Sequence, residues 1–188
     1  MSGNHHLYVP GPSNVPAAVQ QAIHCPMEDH RNPTIPGLIT PLVEDLKKIV
    51  LTEKGKVVFF PSSGTGCWEA ALQSTLNIGD TVLGASFGQF SMLWLDMCTR
   101  LQFKAITMDE EWGTGANPES YHRELSKDKD HKIKAVLVCQ NETATGVRSD
   151  VLAIRKVLDD LNHPALLMVD GVSSVGSYEF RMDDWGVD

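Results

Sequence analysis

The stretch ALLMVDGVSS, residues 165–174, decides the fold of this sequence. Residues 165–169 are all apolar, which is typical of a strand buried on both faces of a sheet. This strand ends on Asp170, and Gly171, where another chain or ligand can approach the backbone closely, follows it. A carboxylate at the tip of a buried strand loses hydration and needs a cationic or hydrogen-bonding partner. An aspartate that only caps a turn is the alternative at this point.

The same pattern extends upstream from this strand. Hydrophobic periodicity and capping residues predict further strands at 57–60, 81–85, 103–108 and 135–139, and helices at 16–23, 38–51, 66–76, 90–101, 117–126 and 150–161. Apolar strands that alternate with helices indicate a largely parallel sheet. We therefore predict an α/β fold with three layers, a mostly parallel sheet flanked by helices, and ligands at the carboxyl ends of the strands.

Composition and charge exclude several classes of protein. The net charge of -8 and the scattered Lys and Arg residues argue against nucleic acid as a partner. No apolar run approaches membrane-spanning length, and residues 1–14 lack the apolar core of a signal peptide. The four cysteines lack metal-ligand spacing, so we expect no metal site and predict buried free thiols in a reducing, intracellular compartment.

Two other segments have residues suited to ligand binding. PSSGTGCWEA, residues 61–70, lies between a predicted strand and a helix, where glycines and unpaired helix N–H groups favour a phosphate. It matches neither a Walker A loop nor the GxGxxG fingerprint, and a glycine-rich helix entry without ligand is the alternative. NETATG, residues 141–146, places two threonine hydroxyls and a carboxylate after a strand; a solvated loop with a helix cap is its alternative.

Taken together, the motifs resemble those of a known enzyme family. HHLYVPGPSNVP, MEDHRNP, FPSSGTGCWEAAL, FGQFSMLW, NETATGV, HPALLMVDGVSSVG and FRMDDWGVD occur in this order along the chain. This series is similar to class V (fold-type I) pyridoxal-phosphate (PLP) aminotransferases of the serine–glyoxylate and alanine–glyoxylate branch. The resemblance implies the N-terminal part of the large domain of fold-type I PLP enzymes, with PLP as cofactor and with amino acids and 2-oxo acids as substrates.

The resemblance also implies roles for individual residues. The cofactor phosphate is expected at the start of the helix after residue 61, and the pyridine ring is expected to lie between an aromatic and an aliphatic side chain. A hydroxyl binds the phenolic oxygen, an aspartate pairs with the ring nitrogen, and one loop lines the substrate end. The residues at these positions are Thr65, Gly66 and Cys67 for the phosphate, Phe87 and Val172 for the two ring faces, Thr143 for the phenolic oxygen, Asp170 for the ring nitrogen, and Pro10 with Gly11 for the substrate.

According to the resemblance, the Schiff-base lysine follows residue 188. We therefore expect no catalytic residue in this chain and no activity from it alone. The expected domains are 1–24, an arm with a short helix, and 25–188, a partial large PLP-binding domain whose small domain is absent. The parent enzyme is expected to be a homodimer in the peroxisome or cytoplasm. The alternatives are a phosphoserine aminotransferase, a cysteine desulfurase, or a non-catalytic truncated product that associates with a full-length subunit.

Overall fold

The computed structural model describes residues 6–188 of the chain, which divides into two compact units, Met1–Asp45 and Leu46–Asp188. This division does not coincide with the predicted boundary at residue 24. The assignment of residues 1–24 to an arm with a short helix remains a prediction. The helices are α1 (Ala17–Ile23), α2 (Ile35–Val50), α3 (Gly64–Thr75), α4 (Gln89–Arg100), α5 (Pro118–Leu125) and α6 (Val151–Asp160). The strands are β1 (Thr81–Ser86), β2 (Lys104–Asp109), β3 (Ile133–Cys139), β4 (Asn141–Glu142), β5 (Val147–Arg148) and β6 (Leu166–Asp170).

A parallel sheet with strand order β2-β1-β3-β6 lies at the centre of the second unit. In its register Cys139, the last residue of β3, pairs with Asp170, the last residue of β6. The carboxyl ends of the strands therefore share one edge, as predicted. The α/β fold with helices flanking a parallel sheet is confirmed. Among residues 6–188, no helix is long and apolar enough to cross a membrane, and no three or more His, Cys, Asp or Glu side chains form a group that could hold a metal ion.

The core is built from the apolar faces of the strands and of the helices around them. Leu72, Leu83, Ile154 and Leu167 are completely enclosed, and their burial stabilises the fold because it removes apolar surface from water. Tyr121 of α5 is also enclosed; its hydroxyl accepts a hydrogen bond from the Ala85 N–H (3.1 Å) and donates one to the Leu137 carbonyl (2.9 Å). This hydroxyl therefore connects α5 to both β1 and β3.

Three sequence predictions differ from the structure. The predicted strand at 57–60 was wrong: the segment has no regular secondary structure and belongs to neither sheet of the described residues, and Val58, Phe59 and Phe60 stay 68%, 49% and 48% exposed. A strand requires a neighbour to pair with, and no described strand lies beside it. The segment 141–146, for which a solvated loop was the alternative, begins with β4, and β4 pairs antiparallel with β5 just after the segment. Burial of all four cysteines was also wrong, since Cys25 and Cys67 are exposed.

A buried histidine at the amino end of the sheet gives a pH-dependent prediction. His163 is 4% exposed; its Nδ1 accepts from the Ala165 N–H (3.2 Å), so Nε2 carries the proton and donates to Asp128 (3.3 Å). Burial lowers the pKa of His163 below 6.5, and the neighbouring His131 and Lys134 also lower it, together outweighing Asp128. The unfolded chain therefore binds more protons than the folded one just below pH 6.5.

We accordingly expect the free energy of unfolding to fall as the pH drops below about 6.5, the ordinary pKa of histidine. Urea unfolding of the protein at pH 7.5 and pH 5.5, in about equal ionic strength, measures this. His163→Gln should remove most of the difference, while the same change at the exposed His122 should leave it. An equal pH dependence in both variants would contradict the assignment.

Candidate functional site

Asp170 lies at the carboxyl edge of the sheet with its carboxylate held from two sides. Oδ1 accepts from the Val172 N–H (2.8 Å), and Oδ2 accepts from the Trp68 Nε1–H (3.2 Å). Burial raises the pKa of Asp170 and these two hydrogen bonds oppose it, but the pKa remains raised. Within the described part of the chain, no Lys or Arg forms an ion pair with it. The charged form is therefore disfavoured, and a cation beside it would be stabilised.

The N-terminal turn of α3 approaches the end of β6 closely because it is rich in glycine. A Cβ at Gly64 would lie 2.5 Å from Val172 Cγ2, and one at Gly66 would lie 2.2 Å from Ser62 Oγ. The N-cap residue Ser63 makes no side-chain hydrogen bond to the helix. The first N–H groups of α3 therefore lack a side-chain acceptor, which leaves the positive end of a helix of 12 residues suited to an anion.

Trp68 joins these two elements and was missed by the sequence analysis. Its indole stacks on Trp94 with ring centroids 5.4 Å apart and an interplanar angle of 10°, while its Nε1–H binds Asp170. Trp68 immediately follows Cys67 in the helix entry, so its place in the sequence was a weak signal. The contact itself spans 102 residues and is therefore not visible as a local pattern.

A cavity of about 370 Å³ lies between α3 and the end of β6. Its size is that of a small-molecule site, and most of its lining is apolar. Of the predicted site residues, Cys67, Asp170 and Val172 line it, whereas Thr65, Gly66, Phe87 and Thr143 are not part of its lining. No lysine lines this cavity in the part of the chain that the structure describes.

Thr143 and Phe87 lie near the same edge but differ in burial. Thr143 is half-buried in the turn between β4 and β5, and its hydroxyl has no hydrogen-bond partner among residues 6–188. Phe87 follows β1 and is completely enclosed in the core, so none of its ring surface is open to a ligand. The stacking role implied for Phe87 remains a prediction. The substrate-lining residues Pro10 and Gly11 are exposed in a bend of the first unit.

Glu142 makes different contacts from those expected for the segment 141–146. The carboxylate was grouped there with the threonine hydroxyls as a possible ligand contact, but it is fully buried. It accepts hydrogen bonds from the N–H groups of Phe90, Ser91 and Ala144 instead. In this structure its carboxylate therefore contacts backbone, and a contact with a ligand remains a prediction.

Comparisons with known proteins identify the family of the chain. The family model described as Aminotransferase class-V matches residues 28–188. The chain belongs to the class V aminotransferases. It is 58% identical over 188 residues to the serine–glyoxylate aminotransferase of Hyphomicrobium methylovorum, covering 100% of this chain and 46% of that protein.

Two further comparisons extend this similarity. The L-aspartate–glyoxylate aminotransferase of Paracoccus denitrificans is 46% identical over 188 residues, covering 100% of this chain and 48% of that protein. The crystal structure of an alanine–glyoxylate aminotransferase from Nostoc sp. superimposes with a TM-score of 0.89 at 27% identity, covering 100% of this chain and 49% of that one. The chain thus spans about half the length of these class V aminotransferases.

Proposed function

We propose that this chain forms the cofactor-binding part of a PLP-dependent aminotransferase that transfers an amino group from serine or alanine to glyoxylate. The observation that supports this most directly is Asp170, a carboxylate whose pKa is raised by burial and which lines a cavity of about 370 Å³ without a cationic partner among the described residues. The protonated pyridine nitrogen of PLP is a cation that would pair with this carboxylate.

The other residues at this edge fit the rest of the cofactor. Thr65, Gly66 and Cys67, in the first turn of α3, would hold the phosphate at the positive end of the helix. Val172, which is 71% exposed beside Gly64, would pack against one face of the ring. The Thr143 hydroxyl, which has no partner among the described residues, would donate to the phenolic oxygen. Stacking by Phe87 on the other face would require its ring to leave the core.

When bound, PLP supplies an electron sink that stabilises negative charge developing at the substrate Cα atom. In our proposal Asp170 keeps the ring nitrogen protonated, and Trp68 holds the Asp170 carboxylate in place through Nε1. The mostly apolar lining of the cavity would strengthen this ion pair. In the same proposal, a Schiff-base lysine and a second subunit would complete the site.

The names of the relatives support glyoxylate as the amino acceptor more strongly than they support any one amino donor. The two curated relatives and the superimposed structure are all glyoxylate aminotransferases, but they are named for serine, L-aspartate and alanine as donors. We therefore propose glyoxylate as the acceptor and keep serine and alanine as the donors to be compared first.

A comparison of amino acceptors tests this proposal. We expect the full-length protein to use glyoxylate with a kcat/KM at least about tenfold higher than that for 2-oxoglutarate, a difference that pocket contacts readily provide. Both acceptors are to be assayed with serine and with alanine, and with phosphoserine and cysteine as controls for the other class V activities. Similar kcat/KM values for the two acceptors, or release of sulfur from cysteine, would contradict it.

A further inference from the structure

Glu142 is a buried carboxylate that the proposed chemistry does not use. It is completely enclosed and forms no ion pair with a Lys, Arg or His of residues 6–188. Burying a charge without a cation is costly, so a specific set of donors has to offset the lost hydration. Three backbone N–H groups do so: Oε2 accepts from Phe90 (3.1 Å) and Ser91 (2.9 Å), and Oε1 accepts from Ala144 (3.1 Å).

Two of these donors belong to the first turn of α4. The N-cap residue of this helix is Gly88, which has no side chain to offer, so a carboxylate from a distant segment caps the helix instead. The position also has no room for a side chain, because a Cβ at Gly88 would lie 2.2 Å from Glu142 Cγ. The negative charge lies at the positive end of the helix dipole, which stabilises it further.

The third donor belongs to the turn that contains Thr143. Glu142 precedes this turn, its own carbonyl accepts from the Thr145 and Gly146 N–H groups (3.2 and 2.7 Å), and its carboxylate accepts from Ala144. The backbone and side chain of Glu142, just before Thr143, therefore bind the three residues that follow Thr143. The same carboxylate fixes this turn to α4, about 50 residues away in sequence.

We propose that Glu142 is a positioning residue of the cofactor site. Its carboxylate fixes the turn that carries Thr143 to the first turn of α4 and thereby sets the place of the Thr143 hydroxyl. The inference rests on the proposed function, in which this hydroxyl binds the phenolic oxygen of PLP. A carboxylate is needed because it accepts with both oxygens, whereas an amide would turn an NH2 group toward a backbone N–H.

The test compares two carboxylates that flank β3. Asp128, before the amino end of the strand, also accepts from two backbone N–H groups, those of Lys132 (3.0 Å) and Ile133 (2.6 Å), but lies at the opposite edge of the sheet. In the full-length protein, Glu142→Gln should raise the dissociation constant of PLP at least about tenfold. Asp128→Asn should lower the melting temperature comparably and leave that constant within about twofold of the wild type.

A double-mutant cycle separates positioning from simple stabilisation. Thr143→Val should weaken PLP binding in the wild type but add little to Glu142→Gln, because the hydroxyl is already misplaced. If Glu142→Gln does not fold, Glu142→Asp keeps the charge but cannot reach both Ser91 and Ala144, and the same cycle applies. Additive effects, or an equal loss of affinity in Asp128→Asn, would overturn the inference while the proposed function stands. Absence of PLP binding by the wild type would overturn both.

Discussion

We expect Asp170→Asn to lower the turnover of the full-length enzyme by at least about two orders of magnitude, roughly 3 kcal/mol, while the protein still folds. The variant should also bind PLP more weakly, since an Asp–pyridinium pair is a charge-assisted hydrogen bond worth about 1.5–3 kcal/mol. The catalytic loss should exceed the loss of affinity. The proton on the ring nitrogen stabilises charge that develops in the transition state more than it stabilises the ground state.

The stability of the same variant should change little. In the cofactor-free protein the Asp170 carboxylate is half-buried, with a raised pKa and no cationic partner among the described residues, so its charge opposes folding at neutral pH. Asparagine removes that charge and, with a single side-chain oxygen, cannot accept from both Val172 and Trp68. The two effects are opposite in sign, and we expect the free energy of unfolding to change by no more than about 1 kcal/mol.

Single-turnover transamination, followed through the absorbance of the cofactor, measures the effect without interference from product release. Asp109→Asn is the matched control because Asp109 also ends a parallel strand of the same sheet, β2, but is exposed. It should be close to wild type, and Asp170→Glu should be impaired because the longer side chain displaces the carboxylate. The alternative that Asp170 only caps the turn through Val172 predicts nearly normal transamination by Asp170→Asn, since asparagine caps equally well.

The part of the fold that is encoded locally was predictable from the sequence. Strand β6 and the entry of α3 are short patterns, an apolar run that ends on Asp170 and a glycine-rich turn, and the structure contains both within a few residues of the predicted bounds. The rule that parallel strands align their carboxyl ends then placed the end of β6 at one edge of the sheet, whereas the placement of residues 61–70 at that edge rested on the strand at 57–60 that the structure lacks. The fold and the general position of the site therefore follow from periodicity and composition.

What could not be predicted depends on contacts between distant segments. Residues 57–60 have the composition of a strand, but a strand exists only if another pairs with it, and no local pattern shows this. The bond from Trp68 to Asp170 spans 102 residues, and that from Ser91 to Glu142 spans 51. In both cases the sequence shows each of the two residues but not that they form a hydrogen bond with each other.

Phe87 presents the sharpest contrast between the resemblance and the structure. The resemblance assigns its ring to one face of the cofactor, whereas the structure encloses that ring completely in the core, where the Ser91 hydroxyl accepts from the Phe87 N–H (3.1 Å). A core role predicts a loss of stability on truncation, and a stacking role predicts a loss of cofactor affinity. The two roles can be separated because a smaller apolar side chain affects them differently.

We expect Phe87→Ala to lower the free energy of unfolding by about 3–5 kcal/mol, as is usual for a phenylalanine removed from a packed core. Phe87→Leu, which keeps most of the apolar volume, should cost roughly 1–2 kcal/mol and leave the dissociation constant of PLP within about twofold of the wild type. Urea unfolding and a PLP titration, both at a temperature where each variant is folded, measure these quantities.

Phe103→Leu is the matched control, since Phe103 is a buried phenylalanine that precedes the amino end of β2 and so lies away from the carboxyl edge. It should reproduce the stability loss of Phe87→Leu and bind PLP normally. If Phe87→Leu instead weakens PLP binding about tenfold or more and Phe103→Leu does not, the ring of Phe87 contacts the cofactor. This follows because leucine loses aromatic stacking but keeps most of the apolar burial. The ring of Phe87 would then leave the core when the cofactor binds.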